Sequence, residues 1–492
     1  MNDDITIDPP LPTTSASVDT PARFRVAIIG GGLGGLCLAH GLRRSGVGVA
    51  VYERDTSATF RSQGYRISLK ASGADALHDC LPSNLFDLCV ATSIRQATRM
   101  VFMDPQLNPG FDKPTPPADS GMNGFGVNRL TLREILLADL ADTVRFGATF
   151  ERFEQTGDGR VRAWFADGTS TVADLLVGAD GTHSAVRAQL IPDAIVDELH
   201  WVIYGKTPIT DTTLEWVPDI LVDAFARVTR DSEQAFAMAT CRTREPVSRA
   251  AARLAPGLRL TDIPGYFQWI TPLADASLHS ADAAVLHRHA ADQVRDLHAA
   301  IGRLIAEADI AATFPVCVAS AWPVDPWHDR VPNVTLLGDA VHTMSPGRGD
   351  GANIALHDAS ILRDALARAT AGKLSFADAI AEYETQTLRY GFAAAAASRD
   401  SPFTSRSFSP PASTALSCWD QFAATHTAGD IVEATVTGHL PIGAFVHVTD
   451  GVDGILIGAH PAPGSRLAVR IKDIDLDKRR LSVVTTGHDT HA

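Results

Sequence analysis

RVAIIGGGLGGLCLAHGLRRS, residues 25–45, is the stretch that decides the fold of this chain. Its first five residues form an apolar strand, Gly30–Gly35 has the pattern G-x-G-x-x-G, and the remainder has the spacing of a helix. In this context Gly30 permits a tight turn, Gly32 lets the backbone approach a pyrophosphate, and Gly35 allows close helix packing. The helix N-terminus adds N–H donors and the positive end of a dipole. The stretch therefore predicts a dinucleotide-binding turn.

A second apolar strand, residues 47–52, ends at Glu53. A carboxylate at that place can accept hydrogen bonds from ribose hydroxyls, so the unit suits the AMP half of a dinucleotide. Arg54, the next residue, is included in the predicted cofactor site. NAD and FAD both use this fingerprint, so on this evidence the choice between them stays open.

Composition narrows the class of protein. The chain has 492 residues with 57 acidic and 43 basic side chains, and its net charge of −14 disfavours nucleic acid and anionic membrane as partners of the whole chain. Its six cysteines include no C-x-x-C pair, which favours reduced thiols and a cytoplasmic location. The N-terminus carries neither a basic nor an apolar targeting segment, and no apolar run is long enough to span a membrane.

The pattern along the chain predicts an α/β body followed by a small all-β module. Apolar strands alternate with amphipathic helical stretches from Phe24 to about Asp400, and short β-branched strands with Gly and Asp turns begin at Gly429. A segment rich in Ser, Thr and Pro separates the two. The predicted divisions are a flexible leader 1–22, a first nucleotide-binding part 23–190, a mainly substrate-binding sheet domain 191–330, a second nucleotide-binding part with C-terminal helices 331–400, a linker 401–428 and the all-β module 429–492.

Two further motifs each join a strand to a loop that opens a helix. The first is D-G-x-x-S-x-x-R, from Asp180 to Arg187, after the apolar run DLLVGA. The second follows VTLL as G-D-A-V-H, with P-x-x-G-x-G-x-N beginning at Pro346. The motif can present Asp339 to the ribityl hydroxyls or the pyrophosphate of a cofactor. The N–H groups of residues 349–352 can face electron-rich carbonyl oxygens.

With these three motifs in order and spacing, residues 24–400 resemble the class A FAD-dependent monooxygenases, the p-hydroxybenzoate hydroxylase-like flavoproteins. The resemblance implies a Rossmann-type FAD-binding domain interleaved with a β-sheet substrate domain. It also implies roles for individual residues: Gly30, Gly32, Gly35 and Glu53 at ADP; Asp339, Pro346, Gly349, Gly351, Ala352 and Asn353 at the flavin; Asp180 near both FAD and the pyridine nucleotide; Arg129 at the FAD phosphates; and Arg61 and Arg66 beside the flavin. His342 is interpreted as structural.

The resemblance also implies the chemistry. FAD, bound non-covalently, is reduced by NAD(P)H, reacts with O2 to a C4a-hydroperoxide and transfers oxygen to an electron-rich substrate. No second G-x-G-x-x-G follows a strand, so NAD(P)H is expected to bind only transiently. No catalytic side chain is named, no metal-ligand spacing is present, and the tryptophan-rich halogenase motif is absent. An FAD-dependent oxidase or dehydrogenase on the same fold remains the alternative.

The substrate is predicted to bind within residues 191–330. A flat phenolic or polyketide-like molecule is expected from the habits of the family. Aromatic and sulfur-containing side chains of the strand-like runs supply a predicted pocket, formed by Trp201, Phe236, Met238, Phe267 and Trp269. For any one of them, a place in the core of the sheet is the favoured alternative.

The C-terminal module resembles an S1 domain, a five-stranded OB-type barrel. Phe445 and His447 stand where such modules commonly carry RNA-binding residues, but Ile442 replaces another aromatic. Residues 429–492 hold eight acidic and six basic side chains, of which only Lys478–Arg480 form a basic cluster. A role in capping the substrate or binding protein is therefore favoured over RNA binding. The rival hypothesis is an RNA-associated flavoprotein that acts through this barrel.

Overall fold

The computed structural model describes residues 24–57, 65–115, 124–231, 233–399, 418–440, 443–449, 452–475 and 480–486. The chain divides into two units, residues 1–407 and residues 408–492. The predicted leader 1–22, the first part of the predicted linker, Arg61, Ile442, Lys478 and Arg479 lie outside the described residues. Among the described residues, no helix is long and apolar enough to cross a membrane.

The strands of the first unit are, in chain order, β1 (Arg25–Ile29), β2 (Gly48–Glu53), β3 (Arg66–Leu69), β4 (Arg99–Met103), β5 (Pro109–Pro114), β6 (Phe125–Asn128), β7 (Val144–Phe146), β8 (Phe150–Gln155), β9 (Val161–Phe165), β10 (Ser170–Ala173), β11 (Leu175–Gly178), β12 (Val196–Pro208), β13 (Ala224–Arg230), β14 (Glu233–Cys241), β15 (Tyr266–Leu273), β16 (Phe314–Ala321) and β17 (Val334–Leu336).

Its helices are α1 (Leu33–Arg44), α2 (Ala71–Cys80), α3 (Ser83–Ala91), α4 (Arg129–Leu137), α5 (Ala185–Leu190), α6 (Asp211–Trp216), α7 (Val247–Leu254), α8 (Ala283–Gln293), α9 (Ala299–Ala306), α10 (Asp339–His342), α11 (Gly351–Thr370) and α12 (Phe376–Arg399).

A parallel sheet carries the three sequence motifs. Its strand order is β17-β11-β1-β2-β7, and β1, β11 and β17 are buried along most of their length, as strands covered on both faces must be. Ile29 pairs with Gly178, and Gly178 pairs with Leu336, so the carboxyl ends of these three strands lie at one edge. That edge brings together the glycine turn, Asp180 and Asp339. The predicted Rossmann-type fold is confirmed.

A second, seven-stranded sheet has the order β16-β12-β15-β14-β13-β4-β5. Five of its strands come from the predicted substrate region, but β4 and β5 come from residues assigned to the first nucleotide-binding part. Arg99 of β4 pairs in parallel with Ala224 of β13. A strand partner so distant in sequence leaves no local pattern. The predicted domain boundaries therefore did not include β4 and β5 in the sheet domain. The remaining strands form a three-stranded sheet, β10-β9-β8, and the pair β3-β6.

The second unit contains α13 (Cys418–Thr425) and five strands that close into a barrel: β18 (Ile431–Leu440), β19 (Gly443–Thr449), β20 (Val452–Ile457), β21 (Arg466–Asp475) and β22 (Arg480–Thr485). The predicted C-terminal barrel is confirmed. The predicted linker 401–428 is wrong at its end, because α13 is helical. Trp419 and Phe422, three residues apart on one face, are buried in the hydrophobic cluster of the barrel.

Candidate functional site

The glycine turn has the geometry that a pyrophosphate requires. Gly30 has φ of +109°, and a side chain there would lie 2.3 Å from the carbonyl oxygen of Ala179. Gly35 is equally constrained, since a Cβ atom would lie 2.3 Å from the Gly30 oxygen. A Cβ at Gly32, which precedes the first residue of α1, would meet no protein atom within 4 Å. Protein contacts thus exclude side chains at two of the glycines, whereas at Gly32 the free space can admit a phosphate.

Glu53 is held in place by the turn that it was predicted to support. Its carboxylate accepts from the backbone N–H of Gly31 at 2.7 Å and from that of Asp55 at 2.9 Å. Arg133 of α4 lies 3.4 Å from Glu53 and 3.3 Å from Asp55, and it donates to the Gly31 carbonyl at 3.2 Å. Arg133 was not among the residues predicted from the sequence. Its only signal was a position one helical turn after Arg129, on the same face.

The carboxylate of Asp180 caps α5. Its Oδ2 atom accepts from the backbone N–H groups of Ala185 and Val186 at 2.8 and 3.2 Å, and Oδ1 accepts from the Ser184 hydroxyl at 2.5 Å. Arg187 ends the same motif and donates to the carbonyl of Ala340 at 2.9 Å. The two motifs are therefore tied together, and the backbone of Asp180 lies close to Gly30 of the glycine turn. Direct contact of Asp180 with a cofactor stays a prediction.

Asp339 follows β17 at the carboxyl edge of the parallel sheet. Its side chain is accessible, yet burial by surrounding protein raises the pKa of its carboxyl, although Arg129 and His342 act in the opposite direction. An accessible group in a desolvated place is typical of the lining of a deep cleft. Gly351 lies close by, since a Cβ there would be 3.7 Å from Asp339 Oδ1. Gly349 takes the left-handed conformation, with φ of +68°.

A buried ion pair lies behind this loop. Asp358 and His342 are inaccessible, with 2.8 Å between Oδ2 and Nε2, and the same oxygen accepts from the Gly338 N–H at 2.8 Å. Thr387 and Tyr390 donate to the other oxygen. Burial opposes both charges, but each partner's field outweighs it, so the pKa of His342 is raised and that of Asp358 is lowered. This arrangement buries His342 against Asp358, and its structural role stays a prediction.

Asn353 bridges three segments. Its side chain donates to the carbonyls of Ser68 and Gly349 at 2.9 and 2.8 Å, and it accepts from the N–H of Lys70 at 2.7 Å. These bonds use both amide hydrogens. Asn353 therefore holds the Pro346–Gly349 turn beside β3, and its predicted contact with the flavin remains untested. Pro346 opens that turn, and Ala352 follows it in the first turn of α11.

Arg129 stands where the two halves of the first unit meet. Its guanidinium donates to the Tyr65 hydroxyl at 2.6 Å, and the negative potential of Tyr65 is the first cause of its raised pKa. The Tyr65 ring lies 5.5 Å from the ring of Tyr204, which stacks on Phe314 at 5.8 Å. Arg54 by contrast is exposed, and no hydrogen bond or ion pair ties it to the described residues. The sequence analysis did not find this aromatic cluster.

The five predicted pocket residues share one face of the seven-stranded sheet. Trp269 lies opposite Gly205 on β12 and Met238 on β14, and residues directly opposite share a face. Phe236, Met238, Phe267 and Trp269 are at most 2% exposed. They form a core with Leu286 and Ala290 of α8 and with Ile301, Leu304 and Ile305 of α9, and Trp201 packs against its border. The structure thus favours the core alternative over the pocket for Phe236, Met238, Phe267 and Trp269, and it leaves Trp201 partly buried at the border.

The other face of the sheet meets the nucleotide-binding half of the unit. Gln268 accepts from the backbone N–H of Arg66 at 2.6 Å, and Tyr266 accepts from Asn128, which precedes α4, at 2.9 Å. Tyr204 reaches the Tyr65 ring from the same face. We call this the cofactor-side face. Because residues alternate between faces along a strand, the aromatic composition of the strands could not reveal it.

The cleft fits a flavin dinucleotide. The glycine turn and the N-terminus of α1 suit the pyrophosphate, Glu53 suits the AMP half, and Asp339 with residues 349–352 suits the flavin half. Among the described motif carboxylates Glu53, Asp180, Asp339 and Asp358, that of Asp339 alone makes no hydrogen bond. All these groups lie at the carboxyl edge of one sheet, where ligands of such folds bind.

Comparisons with known proteins agree with a flavin dinucleotide at this site. The family described as FAD binding domain matches residues 128–398, more than half of the chain, and the NAD(P)-binding Rossmann-like domain family matches residues 28–96. A dual O-methyltransferase/FAD-dependent monooxygenase of Cercospora beticola is 31% identical over a region covering 77% of this chain and 46% of that protein. This chain thus spans about half the length of that relative.

Two further proteins match over most of their length. An FAD-dependent monooxygenase of Penicillium herquei is 28% identical, covering 76% of this chain and 88% of that protein. The crystal structure of a candidate FAD containing monooxygenase from Photorhabdus luminescens subsp. laumondii is 28% identical with a TM-score of 0.66, covering 77% of this chain and 98% of that one. The chain therefore belongs to the FAD binding domain family, as a flavoprotein of the p-hydroxybenzoate hydroxylase-like class.

Proposed function

We propose that this protein is an FAD-dependent monooxygenase that uses NAD(P)H and O2 to hydroxylate an electron-rich aromatic or polyketide-like molecule. One observation carries the proposal: three motifs from distant parts of the chain meet at one sheet edge, beside a second sheet that presents an aromatic and polar face. The relatives are monooxygenases, which supports the same reaction type.

The chain's own residues bind and position the reactants. Gly32 and the α1 N-terminus would hold the pyrophosphate, Arg133 fixes the carboxylates of Glu53 and Asp55, and Asn353 keeps the loop before α11 beside β3. When bound, FAD would supply hydride acceptance from NAD(P)H and activation of O2. The cofactor-side face would exclude water from that chemistry.

The test uses the full chain loaded with FAD. Oxidation of NADH and NADPH is followed with a panel of hydroxynaphthalenes and hydroxyanthraquinones under ¹⁸O2, with peroxide measured in parallel. A monooxygenase gives NAD(P)H oxidation that rises with one compound, little peroxide, and one ¹⁸O atom in the product. A product without ¹⁸O, with stoichiometric peroxide, would instead establish the oxidase alternative.

The RNA-associated alternative has weaker support. The barrel contains a single residue among Phe, Tyr and Trp, Phe445, which is 45% exposed, and neighbouring His447 is paired with Asp453 at 2.8 Å. Stacking surfaces for single-stranded RNA use several aromatic side chains on a basic groove. RNA binding that weakens with salt and is lost on deleting residues 429–492 would favour this alternative. The cytoplasmic location inferred from the cysteines stays a prediction.

A further inference from the structure

Two polar side chains on the cofactor-side face have hydrogen-bonding capacity that the described residues leave unused. Tyr204 makes ring contacts, but its hydroxyl has no hydrogen-bond partner among the described residues and is not fully occluded. Gln268 uses its carbonyl oxygen for Arg66, whereas its amide NH2 group bonds to nothing in the described part of the chain. Polar groups this deeply placed are normally paired, so an unpaired donor beside a cleft indicates a ligand.

Both residues are well buried and well held. Tyr204 is 9% exposed and Gln268 is 8% exposed. Tyr65 and Phe314 confine the Tyr204 ring, and the 2.6 Å bond from Arg66 fixes the Gln268 amide. Such constraints reduce the entropy lost when a ligand binds.

The sheet register brings the two side chains together. Tyr204 pairs with Ile270, and Lys206 pairs with Gln268, so Tyr204 and Gln268 are diagonal neighbours on the same face. Diagonal neighbours lie about 7–8 Å apart, within reach of one aromatic ligand. Ala239 lies directly opposite Gln268 on β14, and Ala237 lies opposite Ile270. These two alanines are small side chains on the β14 side of the face, whereas Ile270 and Lys206 are its larger members next to Tyr204 and Gln268.

We propose that Tyr204 and Gln268 determine substrate specificity by hydrogen bonding to a hydroxyl or carbonyl oxygen of an aromatic substrate, whose ring lies beside Gln268 over Ala237 and Ala239. This inference rests on the proposed function, because it assigns the substrate to the same site. Burial raises the pKa of the Tyr204 hydroxyl, so the group is protonated and able to donate at neutral pH. The amide of Gln268 supplies a second, uncharged donor.

The experiment measures binding without turnover. Full-length holoenzyme is titrated with 1-naphthol and with naphthalene, and the change in the visible flavin spectrum reports each dissociation constant. The hydroxynaphthalenes and hydroxyanthraquinones of the turnover panel are titrated in the same way. Wild-type protein is expected to bind 1-naphthol at least about tenfold more tightly than naphthalene, since the hydroxyl gains hydrogen bonds in a desolvated site.

Two variants test the assignment. Tyr204→Phe keeps the ring contacts, and Gln268→Glu keeps an acceptor for Arg66 while removing the amide donor. Each is expected to reduce the preference for 1-naphthol about five- to tenfold and to leave naphthalene binding unchanged. Met238→Leu, on the helix-covered face, is the matched control and is expected to change neither ligand.

Three outcomes would overturn the inference: variants that keep the wild-type preference, variants that weaken both ligands equally, or a wild-type spectrum that no compound perturbs. The proposed function is judged separately by ¹⁸O incorporation. A coupled monooxygenase whose preference survives both substitutions would refute only the role of these two residues.

Discussion

The glycine turn and the seven-stranded sheet differ in how far apart along the chain their interacting residues lie. At the glycine end, the N–H groups of Gly30 and Gly31 donate to the Tyr52 carbonyl and the Glu53 carboxylate, and Gly35 packs on Gly30, all within one strand-turn-helix-strand unit. In the sheet, β4 pairs with β13 and β12 pairs with β16, across more than a hundred residues. A local unit can be recognised from spacing alone, whereas the faces of a long-range sheet cannot. Substitutions at the two places should therefore differ in the kind of effect they have.

The largest effect is expected at Gly32. Gly32→Ala should fold normally, because the added Cβ meets no protein atom within 4 Å, but it should weaken FAD binding roughly 100-fold by filling space meant for the pyrophosphate. Fluorescence titration of the apoprotein with FAD measures this. Gly35→Ala is the comparison, since its Cβ would press on the Gly30 oxygen at 2.3 Å and lower the free energy of unfolding by about 1–3 kcal/mol. Equal unfolding curves for the two variants would contradict the assignment.

Asp358 belongs to a motif found from local spacing, but its stabilising contacts come from distant residues. Its carboxylate accepts from His342, Thr387 and Tyr390, two of which belong to α12. Asp358→Asn should lower the free energy of unfolding by about 3–5 kcal/mol, because it removes one partner of a buried ion pair. Urea unfolding is the measurement. Asp364→Asn, at an exposed position of the same helix, should change stability by less than about 0.5 kcal/mol.

Substitutions on the helix-covered face of the seven-stranded sheet should change stability, whereas substitutions on the cofactor-side face should change substrate specificity. Met238→Ala should cost about 2–5 kcal/mol of unfolding free energy, since Met238 is 2% exposed in the core under α8 and α9. The flavin-bound fraction should keep the wild-type substrate preference. If Met238→Ala altered the substrate preference and left the urea midpoint unchanged, the result would support the predicted pocket over the core assignment.

The smallest effect concerns pH. The pKa of His342 is raised in the folded protein, so the stability it contributes is complete below the unfolded pKa and is lost as pH rises through the folded pKa. The thermal midpoint should therefore fall as the pH rises above the ordinary histidine pKa. His342→Gln should flatten that slope, and His78→Gln, whose side chain is 68% exposed, should not. An unchanged slope in His342→Gln would assign the pH dependence elsewhere.

The sequence located several residues of the site but did not predict their hydrogen-bond partners. Asp180 was predicted beside a cofactor, and the structure shows both of its carboxylate oxygens occupied at the start of α5. Asn353 was predicted at the flavin, yet its amide joins three backbone segments. Motif residues can thus be located by spacing while their partners, which come from distant segments, stay hidden.

The sequence by itself determined the dinucleotide turn, the order of the three motifs, the family and the C-terminal barrel. These are encoded by short-range steric rules: where only glycine fits, where a strand must end, and how apolar residues repeat. Tertiary structure alone decided which sheet face meets the cofactor half, placed Arg133 between two carboxylates, and set Tyr204 and Gln268 side by side. Neighbours in a sheet are chosen by pairing across long loops, and a strand's two faces look alike until that pairing exists.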